Sequence, residues 1–398
     1  MQTKTIDQLP EIDVLTDGTE FPVRKDGTTY KTDFETIQGN ISGRFNYLPF
    51  LVPNPANRNS LILKGGISLK GSTGETFYFT SDQIITGSTF VEGRDFYAVI
   101  TNDGELLILN QADKIAAGSD IKVIGGCHTL CANAGTGMTY EMGEQVLPHP
   151  LNGFLAGDIL PQSVWCLNHR PFSEPEGMFY VPDLDFWCDI YLGSGSGFNT
   201  KSAYQGAITR SRQYVDFVED MICVKKELLN DSEFAAAAIG SNEMTAVAGA
   251  NQAGATTGGA GGRIDTASRR MLSIYGGEEM CGSLWQYLRS TAAAGYEGSM
   301  YGQISRPGVA PITYGRFWSA NGRTVSDSTG VNLMETSYAP QSGNKGSFYY
   351  MCAVLRAGGA WSNSPGCGSR ARAASSARSN ASSDGGGRGR SRAIHLAY

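Results

Sequence analysis

Long apolar segments are missing from this chain of 398 residues. No stretch approaches the run of about 20 apolar residues that spans a bilayer, and residues 1–10 contain no apolar region of the signal-peptide kind. We therefore expect no membrane insertion and no export through a signal peptide. Charged residues are also sparse, at 18%, whereas there are 51 glycines, and this balance favours strands, turns and irregular loops over long helices.

Motifs for metal, cofactor or covalent chemistry are missing as well. There is no glycine-rich phosphate loop, no His-x-x-x-His pair and no nucleophile elbow. The cysteines are scattered except in Cys127-His128-Thr129-Leu130-Cys131, where no second ligand pair follows to complete a four-ligand zinc site. We expect no metal, no cofactor and no disulfide framework. The histidines are interpreted as structural because they lie far apart: His128, His149, His169 and His395.

Acidic residues are nearly absent from the C-terminal part of the chain. From Met351 to the end there are seven arginines against the single acidic residue Asp384, although the whole chain carries a net charge of −6. Lysine is absent there, and aromatic residues do not alternate with the arginines as they do in many nucleic-acid-binding segments. We expect these arginines to hold loops through bonds to carbonyl and carboxylate oxygens, and we expect no nucleic acid as a partner.

The chain is too long for one ordinary core, and its texture divides it into three regions. Residues 1–45 contain a hairpin signal, because Asp26-Gly27 separates two strand-like runs. Residues 46–150 carry short apolar runs at strand spacing and are interpreted as a β-rich spacer or oligomerisation module. Residues 151–398 mix aromatic-rich loops with a few helices. The predicted class is α+β, dominated by short strands and loops.

Two helices are predicted in the third region. The first has an apolar stripe at helical spacing, formed by Tyr214, Phe217, Met221, Val224 and Leu228. The second, over residues 279–288, places apolar residues four apart, at Met280, Leu284 and Leu288.

The C-terminal residues 358–398 have fixed anchors separated by interchangeable small residues. Gly358-Gly359-Ala360-Trp361 is followed by fillers that are nearly all Ser, Ala, Asn, Gly, Asp or Pro, up to Gly385-Gly386-Gly387-Arg388. All these fillers are reached from the Asn codon AAC by changing only its adenines. A flexible tail is the alternative, but Trp361 would lie exposed in such a tail, and residues 393–398 alternate like a half-buried strand. We therefore expect a folded loop system bounded by strands.

This pattern resembles the variable region of proteins diversified by diversity-generating retroelements, which share the C-type lectin fold. Residues 281–287 are similar to the Gly-Asn-Val-Trp-Glu-Trp element of the formylglycine-generating-enzyme type of that fold, and residues 358–361 to its Gly-Gly-Ser-Trp element. The resemblance extends from about residue 150 to the end. The N-terminal segment resembles the virion-attachment segments of tail fibres. These two resemblances together make the chain similar to phage receptor-binding tail proteins, the tropism determinants.

The enzymes of this fold family oxidise a substrate cysteine with a pair of cysteines. Here Cys367 stands alone in the corresponding stretch, and Cys352 belongs to a different element. The resemblance therefore implies a binding protein without this enzymatic chemistry. It implies a phage tail fibre located in the virion, a host bacterial surface protein or glycan as ligand, phage tail proteins as partners of residues 1–45, and a homotrimer.

Within the variable region, at about 358–392, the resemblance separates a scaffold from a displayed face. The implied scaffold residues are Gly358, Gly359, Trp361, Gly368, Arg370, Arg372, Gly386, Gly387 and Arg388. Trp361 is expected to be a buried plug, and the arginines are expected to be fixed hydrogen-bond forks. The implied ligand-binding residues are Ser362, Asn363, Ser364, Gly366, Ala373, Ser375, Ser376, Asn380, Ser382, Ser383 and Asp384. This face lacks aromatic residues, so it should bind weakly at each site and depend on several linked copies.

Two other classes of protein stay open. A tailspike-like glycan hydrolase needs a pair of carboxylates, and Asp183, Asp185 and Asp189 are the candidates. The same residues alternate with Leu184, Phe186 and Cys188, however, which is typical of an ordinary half-exposed strand. The other class, a purely structural virion protein, predicts no ligand for the C-terminal face.

Overall fold

The computed structural model describes residues 20–25, 28–33, 48–87, 89–142, 145–249, 259–290, 326–327, 347–350, 354–376 and 378–396. Two compact units make up the chain: residues 1–48 with 395–398, and residues 49–394. The described part is mostly β with few helices, so the predicted dominance of strands is confirmed. No helix in these ranges has the length and apolar character needed to cross a bilayer.

The N-terminal unit contains one described hairpin, formed by β1 (Glu20–Lys25) and β2 (Thr28–Asp33). Lys25 pairs with Thr28, so the connection falls at residues 26–27, where the Asp-Gly pair predicted it.

Short strands fill the region from residue 49 to residue 150. They are β3 (Leu51–Pro53), β4 (Ser60–Leu63), β5 (Ile67–Lys70), β6 (Thr76–Phe79), β7 (Gln83–Thr86), β8 (Asp95–Thr101), β9 (Leu106–Asn110), β10 (Ile121–His128), β11 (Thr139–Met142) and β12 (Gln145–Pro148). Helix α1 (Gln111–Ala117) follows β9 and begins at Asn110, whose side chain accepts a hydrogen bond from Asp113 N. The apolar runs of this region thus form strands as predicted.

The remaining elements are short and separated by irregular segments. They are β13 (Trp165–Cys166), β14 (His169–Pro171), β15 (Met178–Val181), β16 (Phe186–Asp189), α2 (Tyr214–Cys223), β17 (Glu227–Leu228), α3 (Asp231–Ala237), β18 (Trp285–Tyr287), β19 (Ser326–Asp327), β20 (Ser347–Tyr350), β21 (Val354–Gly358), β22 (Gly368–Ser376), β23 (Gly385–Gly386) and β24 (Gly389–His395).

One nine-stranded sheet crosses the boundary that the sequence suggested at residue 150. Its order is β15-β16-β24-β14-β13-β10-β8-β9, and β17 pairs with β24. Gly125 and Gly126 of β10 pair with Cys166 and Trp165 of β13. Because these backbones are hydrogen-bonded, residues 46–150 and the segment that follows share one sheet, and the structure does not divide there.

The helix predicted from Tyr214 is present as α2, but it is shorter than its apolar stripe. Tyr214, Phe217 and Met221 are buried on one face, as expected. The helix ends at Cys223, and Lys225 has a φ of 59°, in the left-handed region that stops a helix. Leu228 is buried as part of β17 instead.

The second predicted helix, over residues 279–288, is wrong. Glu279 and Gly282 have φ values of 53° and 79°, which a right-handed helix cannot contain, and residues 285–287 form strand β18. All residues from 279 to 288 are buried. The four-residue spacing of Met280, Leu284 and Leu288 therefore does not mark one face of a helix.

The C-terminal elements lie in a six-stranded sheet with the order β19-β20-β22-β21-β18-β23. Strand β21 is antiparallel to both β22 and β18, and β23 runs parallel to β18. Two loops leave this sheet: residues 359–367 connect β21 to β22, and residues 377–384 connect β22 to β23. These loops contain most of the predicted ligand-binding residues.

Candidate functional site

Two adjacent glycines turn the chain out of β21 into the first loop. Gly358 and Gly359 have φ values of 91° and 81°, which residues with a Cβ rarely adopt. A Cβ on Gly358 would lie 2.7 Å from the carbonyl oxygen of Met280, and one on Gly359 would lie 2.7 Å from Sγ of Cys367. The start of this loop therefore depends on glycine at both positions.

Arg372 fixes β22 from the buried side of the sheet. Its side chain is fully buried and its guanidinium donates to the carbonyl oxygens of Ser369 and Ala371, at 2.8 and 3.0 Å. It also forms an ion pair with Asp231 and lies 5.2 Å from the ring centroid of Phe234. These contacts join β22 to helix α3.

Arg388 joins β23 and β24 to the interior. Its buried guanidinium donates to Gln286 Oε1 at 3.0 Å and to the carbonyl oxygens of Asp189, Ile190 and Glu278 at 2.6 to 2.7 Å. Burial lowers the pKa of Arg388 from its ordinary value. Because all three guanidinium nitrogens donate to acceptors on other segments, this residue holds the end of the variable region in one position.

Trp361 is half-buried, so it is not the fully buried plug that the sequence suggested. It packs against Val247 and Met271, against the cluster that contains Trp285 and Ala373, and against the large core cluster that contains Leu284. Its backbone N–H donates to the carbonyl oxygen of Ser283 at 3.1 Å. Trp361 therefore packs against three apolar clusters while part of its surface stays open to solvent.

The first loop exposes some of the predicted binding residues and buries one. Ser362 and Ser364 are exposed, and Asn363 is half-buried. Asn363 Oδ1 accepts a hydrogen bond from Ala360 N at 3.0 Å, which shapes the turn. Gly366 is buried, and its N–H donates to the carbonyl oxygen of Asn363. The prediction that Gly366 is displayed is therefore wrong, because the chain turns inward there to begin β22.

The second loop is held partly through its backbone. The carbonyl oxygen of Asn380 accepts from the Tyr287 hydroxyl at 3.1 Å, and that of Ser382 accepts from Ser211 N at 3.2 Å. The Asn380 side chain is exposed and that of Ser383 is half-buried. Backbone anchoring of this kind leaves the side chain of Asn380 free to change.

Asp384 and Ser382 are bound within the loop. Asp384 Oδ1 accepts from Arg356 Nη1 at 3.0 Å and from the Ser382 hydroxyl, and the carbonyl oxygen of Asp384 accepts from Trp285 N at 2.8 Å. Arg356 lies 5.7 Å from the ring centroid of Trp285 and 6.0 Å from that of Tyr287. Ser382 and Asp384 were predicted as ligand-binding residues, but their side-chain bonds hold the loop in place instead.

Strand β22 carries the remaining predicted binding residues. Ala373 is 1% exposed and packs with Trp285 and Ala371, so its predicted display is wrong. The side chains of Ser375 and Ser376 lie outside the described part of the structure. The sequence could not separate Ala373 from its neighbours, because a small filler does not reveal the direction of its side chain.

The two loops meet at Trp285. Asp384 of the second loop accepts a hydrogen bond from the Trp285 backbone, and Trp361 of the first loop packs in the same apolar cluster as the Trp285 ring. Neither Trp285 nor Arg356 was among the predicted site residues. The signal available for Trp285 was its place in the segment 281–287; Arg356 offered none beyond its position two residues before Gly358.

The carboxylates proposed for a hydrolase have structural partners. Asp183 accepts from the Tyr275 hydroxyl and Asp185 from the Tyr180 hydroxyl, both at 2.8 Å. Asp189 is 1% exposed and pairs with Lys226 Nζ at 2.6 Å. Residues 183–185 lie outside β16, so the predicted single strand over 183–189 is also wrong.

The Cys127–Cys131 segment sends its side chains to separate surroundings. Cys127 packs in the apolar core of residues 50–166, His128 Nδ1 lies 2.7 Å from Asp95 Oδ1, and the Cys131 thiol donates to Glu278 Oε1 at 3.2 Å. Burial raises the pKa of the Cys131 thiol well above its ordinary value, which disfavours the thiolate that a metal requires. No group of three or more potential metal ligands occurs among the described residues.

The chain is similar in sequence to a phage tail protein. No family model matches the chain. The chain is 25% identical over 320 residues to the Tail fiber receptor-binding protein of Bordetella phage BPP-1, covering 75% of this chain and 71% of that relative. The predicted resemblance to phage receptor-binding tail proteins is confirmed by this relative, as is the expected place in a virion tail fibre.

Solved structures of similar fold are variants of the Major Tropism Determinant. The P3c Variant has a TM-score of 0.61 and 19% identity and covers 94% of this chain and 91% of its own. The U1 Variant has a TM-score of 0.59 and 20% identity, with 88% and 85% covered. At this level of identity, the likeness establishes a shared fold.

Proposed function

We propose that this chain, a phage tail protein with the fold of the Major Tropism Determinant, binds a host-cell-surface ligand through its C-terminal loops. This proposal is supported by the separation of buried scaffold residues from exposed loop side chains. Arg372 and Arg388 are fully buried and hydrogen-bonded to several segments, whereas Ser362, Ser364 and Asn380 are exposed on loops held mainly by backbone bonds. Such an arrangement lets recognition change at little cost in stability.

The proposed recognition face is smaller than the set of fillers. It comprises the exposed residues Ser362, Ser364 and Asn380, with Ser375 and Ser376 as further candidates on β22. The ligand is a host bacterial surface protein or glycan. Small polar side chains supply few large contacts, so several linked copies would be needed for firm attachment, and we propose a homotrimer. A molecular mass of three chains in sedimentation equilibrium of the purified protein would support the trimer. The mass of a single chain at micromolar concentration would contradict it.

Diversification by a retroelement is part of the proposal, and burial limits where it can act. Ala373 and Gly366 are buried, so random side chains there would disrupt packing. We propose that adenine-directed changes fall at the exposed positions and spare these two. A template repeat in the adjacent DNA should therefore carry AAC codons at positions such as 362 and 380 but not at 373. A template with AAC at 373 would contradict this restriction.

For the fold, we propose that the C-terminal part of the chain, which contains the sheet of β18 to β23, forms the formylglycine-generating-enzyme type of C-type lectin domain, and that residues 1–45 attach to the virion. The shared fold with the Major Tropism Determinant variants supports the C-type lectin assignment. We also propose that the chain is not an enzyme, because Asp183, Asp185 and Asp189 are each bonded to another residue. Incubation with host surface glycan should release no reducing ends.

Competition for adsorption tests the proposed function. Purified full-length protein, added in excess to host cells, should reduce adsorption of phage that carry this fibre. Protein that leaves adsorption unchanged at saturating concentration would contradict the proposal.

A further inference from the structure

A cleft of about 400 Å³ opens beside the first variable loop, and the described residues that line it lie outside the variable region. One wall is the segment 133–139, and the other is formed by residues 240–242 and 268–270. Both walls contain exposed hydroxyl or amide side chains, among them Asn133, Thr136 and Ser268. The cleft is large enough for one or two sugar rings.

Two charged side chains occur among the described residues that line the cleft, and both are arginines. Arg269 is half-exposed and pairs with Asp265, which is fully buried and lies outside the lining. The side chain of Arg270 is 6% exposed and pairs with Glu278 at 2.5 Å. Its Nε is buried and has no hydrogen-bond acceptor among the described residues. No Asp or Glu is among the described lining residues, but Asp265 and Glu278 outside the lining already pair with the two arginines. A ligand carboxylate would share the guanidinium donors with these two carboxylates.

The first wall is shaped for close approach by a ligand. Gly135 and Gly137 have φ values of 99° and 71°, and a Cβ added at Gly137 would meet no atom within 4 Å. Met138 and Ile264 add apolar surface beside the polar groups, and Ile264 is 47% exposed. Polar groups that fix orientation and apolar patches that receive C–H faces are the combination found in small-ligand sites.

The second wall is joined directly to the first variable loop. Arg269 Nη2 donates to the carbonyl oxygen of Glu243 at 3.3 Å, and Met244 N donates to that of Cys367 at 2.9 Å. The Ser364 hydroxyl donates to the carbonyl oxygen of Met244 at 3.2 Å. A ligand in the cleft would therefore lie close to the exposed residues of that loop.

We propose that this cleft is a binding subsite for an acidic saccharide, with Arg269 and Arg270 facing its carboxylate and Asn133, Thr136 and Ser268 facing its hydroxyls. A sugar carboxylate matches the donor geometry of guanidinium groups, and the hydroxyl and amide lining matches a polyol better than a peptide. The subsite would supply a contact that does not change when the loops vary. It does not depend on the proposed host adsorption, because it can be measured on the isolated protein.

Titration of purified full-length protein with simple glycosides tests the subsite. The probes are the methyl glycosides of glucuronate, galacturonate and N-acetylneuraminate, each followed by isothermal calorimetry or saturation-transfer NMR, with methyl glucoside and methyl galactoside as neutral counterparts. At least one acidic glycoside should bind about tenfold more tightly than its neutral counterpart. Equal binding of acidic and neutral sugars, or no binding of any acidic glycoside, would overturn the proposal.

Three variants locate the binding. Arg269→Gln should weaken binding of the acidic glycoside about tenfold and leave the affinity for any neutral sugar unchanged. Thr139→Trp fills the cleft from an exposed strand position and should abolish binding, whereas Val146→Trp, on the same hairpin but outside the lining, should not. Binding unaltered by Thr139→Trp would overturn the proposal. So would an acidic peptide, such as acetyl-Asp-Glu-amide, that binds where the glycosides do not.

Discussion

Arg356 and Asp384 form an ion pair of 3.0 Å that ties the second variable loop to strand β21. The Arg356 side chain is 8% exposed and that of Asp384 is 28% exposed, so the pair is partly shielded from solvent. Arg356 also faces the rings of Trp285 and Tyr287. The one acidic residue of the variable region therefore acts in holding the loop.

Removal of this carboxylate should destabilise the protein. We expect Asp384→Ala to lower the free energy of unfolding by about 1–3 kcal/mol, because it leaves the buried Arg356 guanidinium without its ion-pair partner. Asn380→Ala, at an exposed position of the same loop, should stay within about 0.5 kcal/mol. Chemical denaturation measures both. Equal stability of the two variants would remove Asp384 from the scaffold.

Gly359 should tolerate substitution much less than another glycine of similar backbone conformation. Gly359→Ala strains a φ of 81° and brings a Cβ to 2.7 Å from Cys367 Sγ, whereas Gly74, with a φ of 101°, has no atom within 4 Å of an added Cβ. We expect Gly74→Ala to cost about 1–2 kcal/mol and Gly359→Ala about 1–3 kcal/mol more. Similar thermal unfolding of the two variants would show that the close approach has no energetic consequence.

Trp361→Ala should destabilise the protein less than the loss of a fully buried tryptophan, which costs about 3–5 kcal/mol. Trp361 is half-buried, so we expect a loss of about 1–3 kcal/mol and a chain that still folds. Equilibrium unfolding in urea measures the difference. Complete unfolding of the variant at 25 °C would mean that Trp361 is a core residue after all.

His149 should make stability depend on pH in the acid range. Burial lowers the pKa of His149 to about 4, and its ring accepts a hydrogen bond from Leu151 N at Nδ1 while Nε2 lies 3.3 Å from the Leu272 carbonyl oxygen. The folded protein therefore holds the neutral imidazole, whereas the unfolded chain binds a proton below its ordinary pKa of about 6.5.

The unfolded state binds more protons between pH 6.5 and 4, so stability falls as pH falls through that window. The lowering of the His149 pKa from about 6.5 to about 4 corresponds to about 3 kcal/mol of unfolding free energy in all. His149→Gln should have a shallower dependence of unfolding free energy on pH than the natural protein between pH 4.5 and 6.5. Parallel profiles for the two proteins would contradict the buried neutral histidine.

The sequence predicted those elements whose pattern is local. The strands between residues 60 and 124 appear as short apolar runs bounded by Gly and Asp, and α2 appears as a one-sided stripe. The prediction of a helix over residues 279–288 was wrong because every residue of this segment is buried. The spacing of its apolar residues therefore does not indicate one face of a helix. The boundary at residue 150 failed because the pairing of β10 with β13 is a tertiary contact.

Within the site, Gly358 and Gly359 could be recognised because their left-handed φ values require glycine. The inward direction of Ala373 and Gly366 could not be predicted, because small fillers look alike whichever way they point. The pair between Arg356 and Asp384 spans 28 positions and depends on how the sheet folds. Local composition identifies where variation is possible, and tertiary packing decides which positions can use it.

Host-cell binding and thermal unfolding, measured on the same preparations of three variants, distinguish a displayed face from a buried scaffold. Ser362→Tyr with Asn380→Tyr changes two exposed loop residues, Ala373→Tyr changes a buried one, and Asn59→Tyr with Ser119→Tyr changes exposed residues far along the chain from the loops. We predict that the loop variant loses host binding with a change in stability of about 0.5 kcal/mol or less, that Ala373→Tyr loses stability, and that the Asn59 and Ser119 variant is unchanged in both. Unaltered host binding by the loop variant, or a loss of stability in it as large as that of Ala373→Tyr, would contradict the separation of a buried scaffold from a displayed recognition face.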